Sequence, residues 1–327
     1  MKKILRCGDP HVKPNNLEES TRLLQFVLDQ ALEHKVDVVE ILGDLFDTHD
    51  IVRLRVLKFW QYWFTELSNQ SFETRILVGN HDVTGEYSDP YSALHPFLSL
   101  ENDNFKIIHV PYLDGIYGYL PYIHSNDRFI EEANLLAANG ARVLVSHPNY
   151  EGAVYDNGTP ITSGVADSAL DSRYLHLIGG HIHTELEIGR VWYTGNPRWL
   201  TKSCSNKKKG IWICTHDDSG KMTEKQFIST ESVCTPIVSV VWKEGEDKPQ
   251  IPENAKVDIE LIGSSDWVTK EKLALKGVSV SSKITDSKRN KERKSGSNLR
   301  DFILNHYKAD VEKRTRILKY LGDLNLV

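Results

Sequence analysis

Val36-Asp37-Val38-Val39-Glu40-Ile41-Leu42-Gly43-Asp44-Leu45-Phe46-Asp47 opens as an apolar, β-branched run and stops on a glycine followed by carboxylates. A run this short and this apolar reads as a buried strand. Gly43 permits a sharp turn that brings Asp44 close to whatever lies at the strand's end. The same grammar recurs on both sides of it. Residues 4–8 lead to Asp9-Pro10-His11, 75–78 to Gly79-Asn80-His81-Asp82, 142–145 to Ser146-His147-Pro148, and 175–178 to Gly179-Gly180-His181-Ile182-His183. Further strands are expected at 191–194 and 210–214. Between the first two strands Leu17, Thr21, Leu24, Leu28, Ala31 and Leu32 recur at helical spacing, and after the second Val56, Phe59, Trp60, Trp63 and Leu67 do the same. Strands alternating with amphipathic helices predict an α/β fold, in which sites gather at the carboxyl ends of the strands.

The chain has 327 residues, 40% of them hydrophobic, enough for one large domain and a smaller appendage. A formal net charge of −5 excludes a protein that coats nucleic acid by bulk electrostatics. Cys7, Cys204, Cys214 and Cys234 are scattered without a CxxC pair, so they read as reduced thiols and not as metal ligands. Met1-Lys2-Lys3-Ile4 reaches a core strand at once, and no apolar run approaches the roughly 18 residues of a membrane span. A soluble, cytoplasmic protein without a signal peptide is expected. Past Cys234 the texture changes to a β-β-α-β pattern over 237–284, then a polar Lys/Arg/Ser-rich stretch, then two short helices near 299–307 and 310–321. The expected division is a main domain over 1–234, a small module over 235–285, a linker over 286–298 and a helical tail over 299–327.

Five strand ends thus deliver Asp9, His11, Asp44, Asn80, His147, His181 and His183, with His81 and Asp82 beside them. A lone histidine is more often a satisfied polar residue than a ligand, but the joint pattern has few structural explanations. Two divalent ions about 3.5–4 Å apart need a shared carboxylate together with imidazole and oxygen ligands, a set suited to Mn, Fe or Zn. Asp44 is the best bridge. His181 and His183 can reach different ions if the backbone bends sharply after Gly180, and Asn80 offers a neutral amide oxygen. A scaffold with a degenerate site is disfavoured, because every ligand type is present.

The pattern D-x-H, G-D-x-x-D, G-N-H-D, a later strand-end histidine and G-H-x-H resembles the calcineurin-like metallophosphoesterase superfamily. Within it the pattern is most similar to the SbcD-type DNA nucleases. The resemblance implies a four-layer αββα sandwich with a small C-terminal α/β capping module and a helical tail. It implies Asp9, His11, Asp44 and His183 on a first metal, and Asp44, Asn80, His147 and His181 on a second. His81 is left to face the substrate as proton donor, with Asp82 either orienting it or serving as a turn carboxylate. Asp47 stands where archaeal and eukaryotic relatives often carry a histidine, which leaves a second catalytic histidine in question. The function implied is a Mn-dependent DNA nuclease (Mg or Fe being alternatives), an exonuclease with endonuclease activity as a further expectation, in DNA end processing, recombination and replication. A phosphodiesterase or phosphoprotein phosphatase would share every ligand. The implied partners are DNA, an SMC-like ATPase docked by the tail, and a second copy of the chain, in a bacterial or phage-infected cytoplasm. Trp60, Trp63 and Phe64 read as core, or as part of that dimer interface. The basic runs Lys207-Lys208-Lys209 and 288–294 read as solvated faces, or as local DNA contacts.

Overall fold

The apolar run at 36–42 is trimmed at both ends to a four-residue strand, Val38–Ile41, with every residue buried. The computed structural model describes residues 1–49, 51–84, 91–275, 278–285, 315–317 and 319. Val38–Ile41 belongs to the larger of two units, Met1–Ser239 with Ile251–Asp258. In chain order the strands β1 (Lys2–Cys7), β2 (Val38–Ile41), β3 (Glu73–Leu77) and β4 (Phe105–Ile108) run parallel in one sheet. The next six build a second sheet: β5 (Tyr112–Asp114), β6 (Tyr117–Leu120), β7 (Val143–Ser146), β8 (His176–Gly179), β9 (Leu186–Ile188) and β10 (Val191–Tyr193). The chain then returns to the first sheet with β11 (Gly210–His216) and β12 (Met222–Ser229), giving the orders β12-β11-β1-β2-β3-β4 and β5-β6-β7-β8-β10-β9.

Both faces of the central strands are covered, so neighbouring residues on one strand serve different cores. Ile4, Val38 and Leu77 meet Tyr119, Val143, Val145 and Ile178 between the sheets. Leu5, Val39 and Ile76 face outward to the helices α1 (Leu17–Glu33) and α2 (Leu54–Ser68). On the far side α3 (Asn126–Ala138) lays Phe129, Ala133 and Leu136 on Leu144 and Leu177. The result is the expected α/β sandwich of helix, sheet, sheet and helix layers.

The buried stripe of α1 is Ser20, Leu23, Leu24, Val27, Leu28 and Ala31. It is rotated from the predicted one: Thr21 is exposed and Leu32 is 50% exposed. The predicted positions traced the edge of the stripe, and the 3.6-residue period settles the difference. On α2 the indole and phenyl rings of Trp60 and Phe64 stack at 5.2 Å between centroids, and Phe64 meets Phe97 edge-on at 5.0 Å. Trp60, Trp63 and Phe64 are buried core residues and are not available as contacts to a second copy.

The second unit comprises Val240–Gln250 and the residues from Ile259 onward. The elements of this part of the chain follow the order read from the sequence: β13 (Ile237–Lys243), β14 (Lys256–Gly263), α4 (Ser265–Ala274) and β15 (Ser279–Ile284), the strands forming one three-stranded sheet. The Ser264 hydroxyl caps α4 by accepting from the Trp267 amide at 3.4 Å. The expected linker at 286–298, its basic run 288–294 and most of the tail at 299–327 lie outside the described residues; within the tail, residues 315–317 and 319 are helical. Among the described residues no helix is long and apolar enough to cross a membrane.

Candidate metal centre

Strand register assembles the site. Cys7 lies abreast of Ile41, and Ile41 abreast of Ile76, so the turns carrying Asp9, Asp44 and Asn80 leave the first sheet side by side. In the second sheet Ser146 pairs with Gly179, which sets His147 beside Gly180-His181. The turns are sharp. His11, Asp44 and His181 have φ values of 42°, 49° and 81°, a left-handed conformation that residues bearing a β-carbon keep only where their surroundings hold them. The bend at His181 is the one that G-H-x-H required. Gly43, at φ 103°, starts the turn into Asp44. A β-carbon on Gly79 would lie 2.3 Å from both the Asp44 amide nitrogen and Oδ1, so only glycine lets the two motifs close on each other.

All seven expected ligands come together. On one side His11 Nε2 and His183 Nε2 are 3.0 Å apart, with Asp9 Oδ2 3.7 Å from His183 and Asp44 Oδ2 3.7 Å from His11. On the other side His147 Nε2 lies 3.2 Å from both Asp44 Oδ2 and Asn80 Oδ1, and Asn80 Oδ1 is 2.8 Å from His181 Nδ1. Asp44 Oδ2 therefore faces both groups. The Leu42 carbonyl accepts from His147 Nδ1 at 2.6 Å, which turns Nε2 inward as the atom that could bind an ion. Asp9 Oδ1, His11 Nδ1 and His181 Nε2 are buried without a hydrogen-bond partner. Nitrogen and oxygen lone pairs that converge at such distances, with donors missing, fit a pair of divalent cations.

Electrostatics point to the same shortage of positive charge. Burial alone would raise the Asp44 carboxyl, but the imidazoles of His147, His11 and His81 hold it well below the usual carboxylate range. Burial would lower His147, but Asp44 and Asp9 draw a proton onto it and raise it to about 9. Burial pushes the Asp9 carboxyl up to about 6, and burial together with His147 pushes His181 down to about 3. Two buried carboxylates thus hold a proton where a cation would serve them.

His81 stands at the edge of this cluster, half-buried, its ring centroid 4.8 Å from that of His11. Its amide donates to Asp44 Oδ1 at 2.8 Å and its Nδ1 donates to the Asp47 carbonyl at 3.1 Å, so Nε2 is the atom left for a substrate. Asp82 has the contacts of a turn carboxylate. It is buried and accepts from the amides of Phe46 at 3.0 Å and Gly79 at 2.9 Å, tying the two metal-bearing turns together, while His81 takes its orientation from Asp47.

Several residues around the site escaped the sequence reading. His49, exposed, stacks on His81 with centroids 4.3 Å apart and bonds the Asn80 carbonyl through Nδ1 at 2.8 Å. A histidine therefore does stand beside His81, two residues beyond Asp47. Asp156 and Cys204, from segments without a recognisable motif, lie next to His183. The run Lys207-Lys208-Lys209 is not a uniformly solvated face. Lys209 is buried and donates to the His183 carbonyl, Lys207 reaches Asp156, and Lys208 alone is exposed.

Residues 2–185, more than half of the chain and all seven residues above, match the family profile of calcineurin-like phosphoesterases. A protein of Invertebrate iridescent virus 6 with the provisional designation phosphoesterase 244L is 26% identical over 208 residues, which span 59% of this chain and 69% of the viral protein. The solved structure of Yfce, a phosphoesterase from E. coli, aligns to 69% of this chain and all of its own length at 13% identity with a TM-score of 0.31, a likeness too slight to bear on the fold.

Proposed function

The chain belongs to the calcineurin-like phosphoesterase family, and from that premise we propose that it is the nuclease subunit of an SbcCD-like complex, a Mn-dependent phosphodiesterase acting on DNA ends. The observation that carries the reading is Asp44 Oδ2 facing two separate imidazole-bearing ligand groups, as a shared carboxylate must. When bound, two divalent cations supply Lewis acidity and an activated water. Mg or Fe could replace Mn in the same donor set.

The chain's own residues then have distinct tasks. Asp9, His11, Asp44 and His183 would hold the first ion, and Asp44, Asn80, His147 and His181 the second. The departing 3′- or 5′-oxygen of a diester is a poor leaving group and needs a proton. His81 is the donor, through Nε2, with its Nδ1–H anchored on the Asp47 carbonyl. Burial lowers its pKa, which makes the protonated ring a stronger acid.

DNA as substrate rests on the motif pattern, and a small-molecule phosphodiesterase or a phosphoprotein phosphatase is compatible with the same ligands. Digestion of end-labelled linear DNA with Mn, beside an aryl phosphate monoester, separates them. The nuclease reading expects DNA cleavage that chelation abolishes and slow monoester turnover, whereas rapid monoester turnover with intact DNA contradicts it. We assign the tail at 299–327 to docking an SMC-like ATPase, so a chain truncated from Asn298 onward should keep basal nuclease activity and lose co-purification with that partner. Unchanged co-purification refutes the docking. A homodimer would use the outer side of α2, where Leu54 is 82% and Tyr62 58% exposed, and not the buried aromatics.

A further inference from the structure

Between β7 and β8 the chain folds back on itself over residues 149–165. Amides of Glu151, Tyr155 and Ile161 donate to the carbonyls of Val165, Thr159 and Ala153 at 3.0, 3.0 and 2.7 Å. Asp156 sits near the tip of this loop, its side chain only 10% exposed. Its Oδ2 lies 3.6 Å from His183 Nδ1 and accepts from Cys204 Sγ at 3.2 Å. Its Oδ1 accepts from Lys207 Nζ at 3.1 Å and from the Thr184 hydroxyl. On the opposite edge of the same imidazole, Nε2 points to His11 and Asp9. The His183 backbone is fixed as well, because buried Lys209 holds its carbonyl.

We infer that Asp156 is a positioning residue for the first metal, holding His183 with Nδ1 protonated and outward so that the Nε2 lone pair is presented inward. A separation of 3.6 Å is longer than a formed hydrogen bond, so the attraction at this distance is Coulombic. A carboxylate behind a metal-binding histidine fixes its tautomer and orientation and makes the ring a better ligand. Asp156, His183 and Cys204 also lie close enough to suggest a third metal site. The partners of Asp156 argue against it: the Lys207 ammonium already occupies Oδ1, and the Cys204 thiol donates to Oδ2. An added cation would displace one positive charge and crowd another at Lys209.

The inference rests on the two-metal reading of the site. It is tested by titrating metal-free full-length chain with Mn²⁺ and counting free Mn²⁺ by electron paramagnetic resonance. The wild type should take two equivalents. Asp156→Asn should weaken one of them by roughly 10–100-fold and leave the other unchanged. Lys207→Met, which cuts the loop's tether but keeps the carboxylate, should stay close to wild type. Asp156→Glu should recover most of the lost affinity, and should Asp156→Asn not fold, Asp156→Ser is compared with Asp156→Glu in its place. An Asp156→Asn isotherm matching wild type overturns the inference. So does an equal loss in Lys207→Met, which would make Asp156 a loop anchor only, and so does the loss of a metal equivalent in Cys204→Ala, which would make the cluster a third site. A wild-type chain that binds fewer than two Mn²⁺ would instead overturn the two-metal reading itself.

Discussion

Two clusters of ionisable side chains are buried in the same unit, one at the strand ends and one between the two sheets, and they meet the cost of burial differently. Between the sheets, Arg6 Nε donates to Glu40 Oε2 at 2.7 Å, and Glu40 Oε1 accepts from the Tyr119 hydroxyl at 2.8 Å. His216 Nε2 accepts from Arg6 Nη1 at 3.0 Å, and its Nδ1 donates to the Gly220 carbonyl at 3.0 Å. One cation offsets one anion, a single side-chain atom of the cluster, Arg6 Nη2, lacks a partner, and Arg6, Glu40, Tyr119 and His216 all lie outside the left-handed region. At the strand ends, lone pairs face lone pairs, three buried polar atoms lack partners, and three residues sit in left-handed backbone. Buried charge is therefore not by itself a sign of function. Converging, unfilled coordination on a constrained backbone is.

Substitutions can break or sharpen that contrast. The largest effect should come from Asp44→Ala, which removes the oxygen both ligand groups face. Hydrolysis of every substrate should fall by at least about 10⁴-fold, more than about 5 kcal/mol in the barrier, with the fold retained by circular dichroism. Activity that survives with two metals bound would mean that another carboxylate bridges, Asp9 being next in line. His81→Asn should keep metal content while slowing DNA cleavage by about 10²–10⁴-fold, as for a lost general acid. An activated aryl diester, whose leaving oxygen needs no proton, should be cleaved far closer to the wild-type rate. Equal slowing of both substrates, or the loss of one metal equivalent by elemental analysis, would make His81 a positioning residue or a ligand.

The inter-sheet cluster should answer in stability and not in chemistry. Glu40→Gln leaves the Arg6 charge buried without its counter-charge and should cost roughly 3–5 kcal/mol in urea unfolding, with metal stoichiometry intact. A smaller, pH-linked effect belongs to His216. Burial, and then Arg6, push its pKa down to about 3, against about 6.5 for an unfolded histidine. Its contribution to stability is thus complete above about pH 6.5 and is lost as pH falls toward 3, because the unfolded chain takes the proton first. His216→Gln keeps an acceptor for Arg6 and a donor for Gly220, so its urea midpoint should fall less steeply than wild type between pH 6.5 and 4.5. Identical slopes would place a proton on native His216.

The sequence made the site more legible than its surroundings, for a physical reason. Ligands leave strand ends on short turns, and those turns need glycine, so Gly43-Asp44, Gly79-Asn80 and Gly180-His181 announce both backbone and chemistry at once. Asp156 had no such marker, since a carboxylate in a polar loop resembles any solvated one until the loop folds back. Lys207 and Lys209 resembled surface charge for the same reason. Among the elements, β6 (Tyr117-Gly118-Tyr119-Leu120) is fully buried, but its glycine mimics a turn, and β12 at the sheet edge carries four polar residues in a row, Thr223-Glu224-Lys225-Gln226, so its sequence hardly alternates. The aromatic face of α2 was plain in spacing, yet whether it packed inward or onto a second copy depended on Phe97 and Phe105, far along the chain.

The central claim is that the cluster holds two divalent ions with Asp44 shared between them. Anomalous diffraction from crystals of the chain grown with Mn²⁺ measures this directly. The account predicts two peaks about 3.5–4 Å apart with Asp44 Oδ2 between them, one ringed by Asp9, His11 and His183 and the other by Asn80, His147 and His181. A single peak, or a second peak lying between Asp156 and Cys204 instead of beside His147, would contradict it.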